Sequence, residues 1–220
     1  MKFFIDSAKA DEIQYALEMW EIDGVTTNPR HIRNSGKPFL QAIQDIAALV
    51  QGTDKPVSVE VNPHLDDPDE MVVEAQRLAA MSPNFVIKIP ATDAGFRALR
   101  TLHGEGIRVN VTLVFSAIQA LQAARLGANF VSPFIGWKEA RGEEVWGLVT
   151  EIMEIYRNYC YSTEVILAAV RNARQIVEAA RRGVPIVTAG FDVYKEAFDH
   201  PYTQQGLRLF ADFWDATPIG

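Results

Sequence analysis

The amino-acid sequence predicts an α/β protein, a (β/α)8 TIM barrel with a C-terminal amphipathic helix, as a single domain over residues 1–220. Short β-rich runs alternate with segments of helical periodicity, which requires parallel strands joined by right-handed crossovers. Eight such units in roughly 200 residues match a closed barrel. The alternative, a doubly wound open sheet, usually has a glycine-rich turn after its first strand. Here that strand is followed by Ser7-Ala8-Lys9 instead.

The predicted strands are apolar runs that are too short for helices and rich in β-branched residues, as in a parallel sheet buried on both faces. In chain order they are Lys2–Asp6, Gly24–Asn28, Val57–Val61, Phe85–Pro90, Arg108–Val114, Asn129–Ile135, Glu164–Val170 and Pro185–Phe191.

The segments between the strands repeat apolar residues at helical spacing, as at Ile13, Leu17 and Trp20. Helix starts are indicated by Asp67-Pro68, Thr92-Asp93 and Ser116, and helix ends by Gly104, Gly127 and Gly183. The last helical segment, Thr203 to Trp214, carries an apolar stripe formed by Leu207, Phe210, Phe213 and Trp214. This stripe either closes the barrel or packs on a neighbouring subunit, and it predicts a homo-oligomer.

Composition excludes several classes of partner. The net charge of −7 argues against nucleic acid and against an anionic membrane surface. No apolar run approaches the ~20 residues of a membrane span, and the N-terminus reaches Asp6 before a signal-peptide core could form. We expect a cytoplasmic protein. The four histidines, His31, His64, His103 and His200, lack ligand spacing and are predicted to be solvated, so no metal site is expected.

Lys88 is the first candidate for chemistry because it lies inside the apolar run Phe85–Pro90. Burial disfavours an ammonium ion, and a neutral amine is a nucleophile towards carbonyl groups. The alternative is a lysine at a strand end whose head group reaches water or pairs with a carboxylate.

Polar residues share one parity along the strands. Side chains of one parity point into a barrel, and a purely structural interior is filled with branched apolar residues. The even-numbered inward positions here are instead Asp6, Asn28, Glu60, Lys88, Asn110, Thr112 and Ser132. Any one of these could be a satisfied core group, but seven together predict an active site at the carboxyl ends of strands one to six.

This set of residues suggests roles. Lys88 is the expected nucleophile, and Asp6 and Glu60 exchange protons directly or through a water held by Thr112. Asn28, Asn110 and Ser132 are neutral groups suited to substrate hydroxyls.

Several segments resemble the transaldolase family, in particular its small single-barrel branch that includes fructose-6-phosphate aldolase. They span nearly the whole chain and include Gly24-Val25-Thr26-Thr27-Asn28-Pro29, Val86-Ile87-Lys88-Ile89-Pro90 and Val131-Ser132-Pro133-Phe134-Ile135-Gly136. The resemblance implies carbohydrate metabolism, with a ketose or ketone donor and an aldehyde acceptor as small-molecule partners. It also implies a covalent Schiff base on Lys88 and no cofactor.

The resemblance further implies that Asp6 deprotonates the C4 hydroxyl of the donor. Glu60 and Thr112 would hold the catalytic water, while Asn28 and Asn110 would bind the three-carbon dihydroxyacetone unit. Thr27, Ser132 and Phe134 would complete the substrate-binding surface. A homo-oligomer of this family would be a pentamer or a decamer.

The chain departs from the family at the phosphate-binding end of the substrate. Trp137 replaces the usual arginine, Ala169 replaces the usual serine, and Arg171 is retained, with Lys138 as a candidate substitute. Loss of a bidentate guanidinium removes a charge-assisted contact. We therefore expect a transferase with altered, less phosphate-dependent specificity. An aldolase of the lyase class that acts on unphosphorylated carbonyl compounds, and a non-catalytic sugar-binding barrel, are the alternatives. Glu60 and Phe134 favour the transferase.

Overall fold

The computed structural model describes residues 1–218, so the last two residues of the predicted domain lie outside it. Its eight strands form a closed barrel in which each strand pairs with its neighbour in chain order. The strands are β1 (Lys2–Asp6), β2 (Gly24–Thr26), β3 (Val57–Glu60), β4 (Phe85–Pro90), β5 (Val109–Val114), β6 (Phe130–Pro133), β7 (Glu164–Val170) and β8 (Ile186–Ala189).

Eleven helices accompany the strands within residues 1–218. They are α1 (Ala10–Met19), α2 (Pro29–Asn34), α3 (Phe39–Leu49), α4 (Pro68–Ala79), α5 (Asp93–Gly104), α6 (Ala117–Arg125), α7 (Ile135–Glu139), α8 (Trp146–Asn158), α9 (Ala173–Arg181), α10 (Phe191–Phe198) and α11 (Pro201–Asp215). The (β/α)8 prediction is confirmed, and the C-terminal helix is present. None of these helices is long and apolar enough to cross a membrane.

The predicted bounds of β1, β4 and β7 match the structure, whereas five strands are shorter than predicted. The excess lies mostly at their carboxyl ends, because residues there cap the next helix. The Asn28 side chain caps α2 by accepting a hydrogen bond from the His31 amide, and Phe134 precedes α7. The loops that carry barrel chemistry therefore begin earlier than the apolar pattern suggests.

The barrel interior has an apolar and a polar layer. Phe4, Val86, Phe130, Ile166 and Ile186 form a separate apolar cluster inside the ring of strands. The Phe4 ring packs over Gly24, where any Cβ would lie 2.7 Å from it. Two residues closer to the carboxyl ends of several strands, the inward side chains are polar, as the shared parity of the polar residues predicts.

Two strands are irregular beside the site. The register shifts between Val111 and Val114 in β5 and between Leu167 and Val170 in β7. Within these bulges Leu113 and Ala169 have φ of 56° and 59°, a conformation that non-glycine residues adopt at a cost. Both residues line the same pocket at the carboxyl end of the barrel.

Candidate active site

Lys88 lies at the centre of the polar layer. Its side chain is 4% exposed, and its Nζ lies 2.9 Å from Glu60 Oε2. The amine also donates to the Thr27 carbonyl oxygen at 3.1 Å and lies 5.8 Å from the centre of the Phe134 ring. The β3–β4 register pairs Glu60 with Lys88 directly. The lysine is therefore buried as predicted, but it is held by a carboxylate.

Asp6, at the end of β1, has a partner on each carboxylate oxygen. Thr26 donates to Oδ1 at 2.9 Å, and its hydroxyl also lies 2.7 Å from the Thr188 hydroxyl. His31 Nε2 lies 3.0 Å from Oδ2. Burial acts to raise the pKa of Asp6, but His31, Lys88 and Thr26 outweigh it, so the pKa lies below its ordinary value. Asp6 is a carboxylate at neutral pH.

The prediction that His31 is solvated is wrong. Its side chain is only 16% exposed and faces Asp6, whereas His64, His103 and His200 are exposed as expected. The Asn28 cap of α2 turns the helix so that this ring enters the barrel mouth. Arg30, from the same turn, lines the pocket as well. The one sequence signal for both residues was their departure from the family pattern after Asn28-Pro29.

The other predicted polar residues differ in what they can offer a ligand. Asn110 donates to the Ser58 hydroxyl at 3.1 Å and accepts from the Ser132 hydroxyl at 2.9 Å, so both ends of its amide are engaged. The Thr27 hydroxyl donates to the Ser58 carbonyl at 2.8 Å. Thr112 is fully buried, and its hydroxyl has no protein partner. Of these three side chains, Thr112 is the one with a hydrogen-bonding atom that no group within residues 1–218 engages.

A pocket of about 320 Å³ opens above Lys88. Its floor holds the reactive groups Asp6, Glu60 and Lys88, together with Asn28, and its wall includes Phe134. The rim carries Trp137, Ala169 and two cations, Arg30 and Arg171. The pocket thus combines a buried amine paired with Glu60, a second carboxylate at Asp6 and a cationic mouth.

Trp137 separates this inner pocket from a wider outer basin of about 890 Å³. The half-exposed indole packs against Phe115 and Phe134, with ring centres 5.8 and 5.5 Å away. Lys138 lines the outer basin and pairs with Glu143 at 2.7 Å, so it does not take the place of the usual arginine in the inner pocket. Arg171 lines both spaces.

No group of three or more His, Cys, Asp or Glu side chains within residues 1–218 is placed to hold a metal ion.

The chain belongs to the transaldolase/fructose-6-phosphate aldolase family, whose model matches residues 3–217. It is 56% identical over 218 residues to the 6-deoxy-6-sulfo-D-fructose transaldolase of Priestia megaterium, covering 99% of this chain and 96% of that protein. A probable transaldolase of Geotalea uraniireducens is 44% identical over 218 residues, covering 99% of this chain and all of that protein. The protein is therefore an enzyme of the transaldolase type, with a substrate end that departs from the family pattern.

Solved structures with low sequence identity share the fold alone. Thiamine phosphate pyrophosphorylase from Pyrococcus furiosus is 14% identical, with a TM-score of 0.60 over 86% of this chain and 84% of that one.

Proposed function

We propose that this enzyme moves a dihydroxyacetone unit from a 6-deoxy-6-sulfo ketose to an aldehyde acceptor through an imine on Lys88, with no cofactor. One observation carries the proposal: a buried lysine paired with Glu60 shares its pocket with Asp6 and two rim arginines. The floor suits carbon–carbon bond cleavage, and the rim suits an anionic tail. The name of the Priestia relative supplies the class of donor.

The chemistry follows from the contacts of Lys88. Because Glu60 is 2.9 Å away, it is placed to take a proton from the amine, which then attacks the C2 carbonyl and loses water to form the imine. Asp6 removes the proton of the C4 hydroxyl, and the C3–C4 bond breaks. Its electron pair enters the enamine, and a three-carbon aldehyde with the sulfonate at C3 departs. The enamine then attacks the acceptor aldehyde, and hydrolysis frees Lys88.

The anionic tail is assigned to Arg30, Arg171 and the Trp137 indole, because these groups form the rim opposite the buried floor. A sulfonate is a permanent monoanion that accepts hydrogen bonds on three oxygens, and guanidinium groups match such geometry. Replacement of the usual family arginine by Trp137 removes one cation from the rim and leaves an indole there. An anion of lower charge than a phosphate monoester dianion fits this change.

The first test is intact mass after borohydride reduction in the presence of 6-deoxy-6-sulfofructose. We expect a reduced adduct on the parent protein that maps to Lys88 and is absent in Lys88→Met. An adduct on Lys9 or Lys138 would contradict the mechanism. Release of free dihydroxyacetone as fast as transfer would assign the enzyme to the lyase class.

The second test addresses the donor. Arg30→Gln and Arg171→Gln should each raise KM for the sulfo ketose roughly 10- to 100-fold, because a hydrogen bond to a charged group is worth about 1.5–3 kcal/mol. KM for unsubstituted fructose should barely change. Arg33→Gln is the matched control, since Arg33 is exposed on the same helix and lines a neighbouring cleft. Equal KM changes for both ketoses would remove the sulfonate assignment.

We also propose that the enzyme is a homo-oligomer, a pentamer or a decamer. The apolar exposed surface of α11 supports this.

A further inference from the structure

Transfer in two half-reactions releases one proton and later takes one up. In the first half the C4 hydroxyl of the donor becomes a carbonyl group and loses its proton. In the second half the acceptor's carbonyl oxygen becomes a hydroxyl and needs a proton. Between the departure of one aldehyde and the arrival of the next, the enzyme must hold that proton or exchange it with water.

With His31 in contact, Asp6 is not the group that keeps this proton. Burial would favour its protonated form, but His31, Lys88 and Thr26 together lower its pKa. A carboxyl group with a lowered pKa gives up a proton readily near neutral pH. A second group in contact with Asp6 is therefore needed if the proton is to stay in the site.

His31 is the imidazole side chain that contacts Asp6. Its Nε2 lies 3.0 Å from Asp6 Oδ2 and is shielded from solvent by the surrounding protein. The two atoms are within ion-pair distance, and Nε2 has no other hydrogen-bond partner among residues 1–218. The other charged groups of the pocket are Lys88 on β4, Glu60 on β3, Arg30 on α2 and Arg171 after β7.

We infer that His31, in contact with Asp6, stores the C4 hydroxyl proton between the two half-reactions. Asp6 takes the proton from the donor, and the pair holds it as a carboxylate and an imidazolium. Asp6 then returns it to the new C4 oxygen, so the pair gains one proton and loses one per cycle. Imidazole is the side chain whose charge changes most readily near neutral pH. This inference rests on the proposed function, because it needs the C3–C4 cleavage step at Lys88.

The test is the pH dependence of transfer in His31→Gln, which keeps a hydrogen-bonding side chain but binds no additional proton. In the parent, kcat/KM for the donor should fall as the pH is lowered, because a pair that already holds the proton accepts no other. In His31→Gln this acid limb should disappear, and kcat should fall by less than the ~10²- to 10⁴-fold expected for loss of Asp6, the group that contacts the substrate. The borohydride-trapped adduct on Lys88 should still form at the parental level.

His64→Gln is the control, since His64 is exposed and lies outside the pocket. It should transfer like the parent at every pH. A His31→Gln enzyme that retains the parental rate and acid limb would overturn the inference. An equal loss at all pH values, or a rise in KM for the sulfo ketose with kcat unchanged, would also overturn it by making His31 structural or a ligand of the anionic tail.

A double variant tests whether the two residues act as one unit. The double variant Asp6→Asn with His31→Gln should have a kcat only slightly below that of Asp6→Asn alone, because the effects of substitutions at residues that act as one unit do not add. Fully additive losses would show that His31 acts independently of Asp6. Absence of an adduct in the parent would instead overturn the proposed function.

Discussion

At the scale of single residues, the contacts of a side chain decide what it can do in the site more than its burial does. Lys88 is enclosed, but Glu60 is 2.9 Å away and the Thr27 carbonyl accepts a hydrogen bond from the amine. In the proposed mechanism, Glu60 takes a proton from the amine before the amine attacks a carbonyl group. Glu60→Gln should therefore slow imine formation more than it slows the later bond cleavage. Rapid-quench borohydride trapping measures the first step, and an unchanged trapping rate would separate Glu60 from it.

Asp6 is the residue whose loss should cost most after Lys88. Asp6→Asn should lower turnover on the order of 10²- to 10⁴-fold, the usual worth of a positioned proton-transfer group. Because the pKa of Asp6 lies below its ordinary value, the carboxylate is ionised throughout pH 5–8. The ratio of parent to variant kcat should therefore not change with the ionisation of Asp6 over that range. A variant that turns over like the parent would make Asp6 structural.

The same lowered pKa has a consequence for stability. A carboxyl group whose pKa is lower in the folded than in the unfolded protein stabilises the fold at pH values above its unfolded pKa, which is near 4 for aspartate. This contribution is lost as the pH falls through the pKa of the folded state. Asp6→Asn should consequently reduce the free energy of unfolding at pH 7 by more than at pH 3.

Substitution of Trp137 tests which anionic groups the substrate end of the pocket prefers. Trp137→Arg should shift preference towards phosphorylated substrates, because it adds a third guanidinium group to the rim, beside Arg30 and Arg171. The measurement is the ratio of kcat/KM for a phosphorylated and an unphosphorylated aldehyde acceptor. Trp137→Phe is the control that preserves packing on Phe115 and Phe134. A parent that strongly prefers the phosphate, unchanged in Trp137→Arg, would limit Trp137 to packing at the rim.

At the scale of elements, the site depends on how closely α7 docks against the end of β7. A Cβ added at Gly136 would lie 2.2 Å from the Ala169 carbonyl oxygen and 3.3 Å from Arg171 Nε. Gly136→Ala must therefore separate the two elements and shift Arg171. We expect a loss of about 1–3 kcal/mol in stability, as for overpacking, and a higher KM for anionic donors.

Thermal unfolding and KM together check this prediction. Gly104→Ala is the matched control, because a Cβ there, at the end of α5, meets no atom within 4 Å. It should be neutral or slightly stabilising. Equal behaviour of the two variants would show that α7 adjusts freely.

The elements also show where prediction from sequence ends. The apolar runs and their shared parity located the barrel, Lys88 and its inward neighbours, because these depend on a period of two and on burial. The parity breaks at Leu113 and Ala169, where the strands bulge into left-handed conformations that no residue type there signals. The His31–Asp6 contact joins the end of β1 to α2, so it depends on a cap geometry that hydrophobic periodicity does not encode.

At the scale of the whole molecule, the barrel is complete without α11. No residue of α11 is buried, and its large apolar side chains are all more than half exposed: Tyr202, Leu207, Leu209, Phe210, Phe213 and Trp214. Monomeric soluble proteins rarely expose contiguous apolar patches of this kind. The strands and the other helices already enclose the barrel core, so the apolar stripe of α11 is not buried within one chain.

We therefore expect α11 to bury its stripe against another copy of the chain in a pentamer or a decamer. Light scattering at micromolar concentration should give a mass larger than a dimer for the parent and a smaller assembly for the double variant Phe210→Ser with Trp214→Ser. The control is Val73→Ser with Ile118→Ser, which removes two apolar side chains of comparable exposure from α4 and α6. Its mass should match the parent's. A monomeric parent would refute the assembly, and a double variant of parental mass would move the interface away from α11. Because the described pocket lies in the barrel and its loops, the dissociated variant should still form the trapped adduct on Lys88.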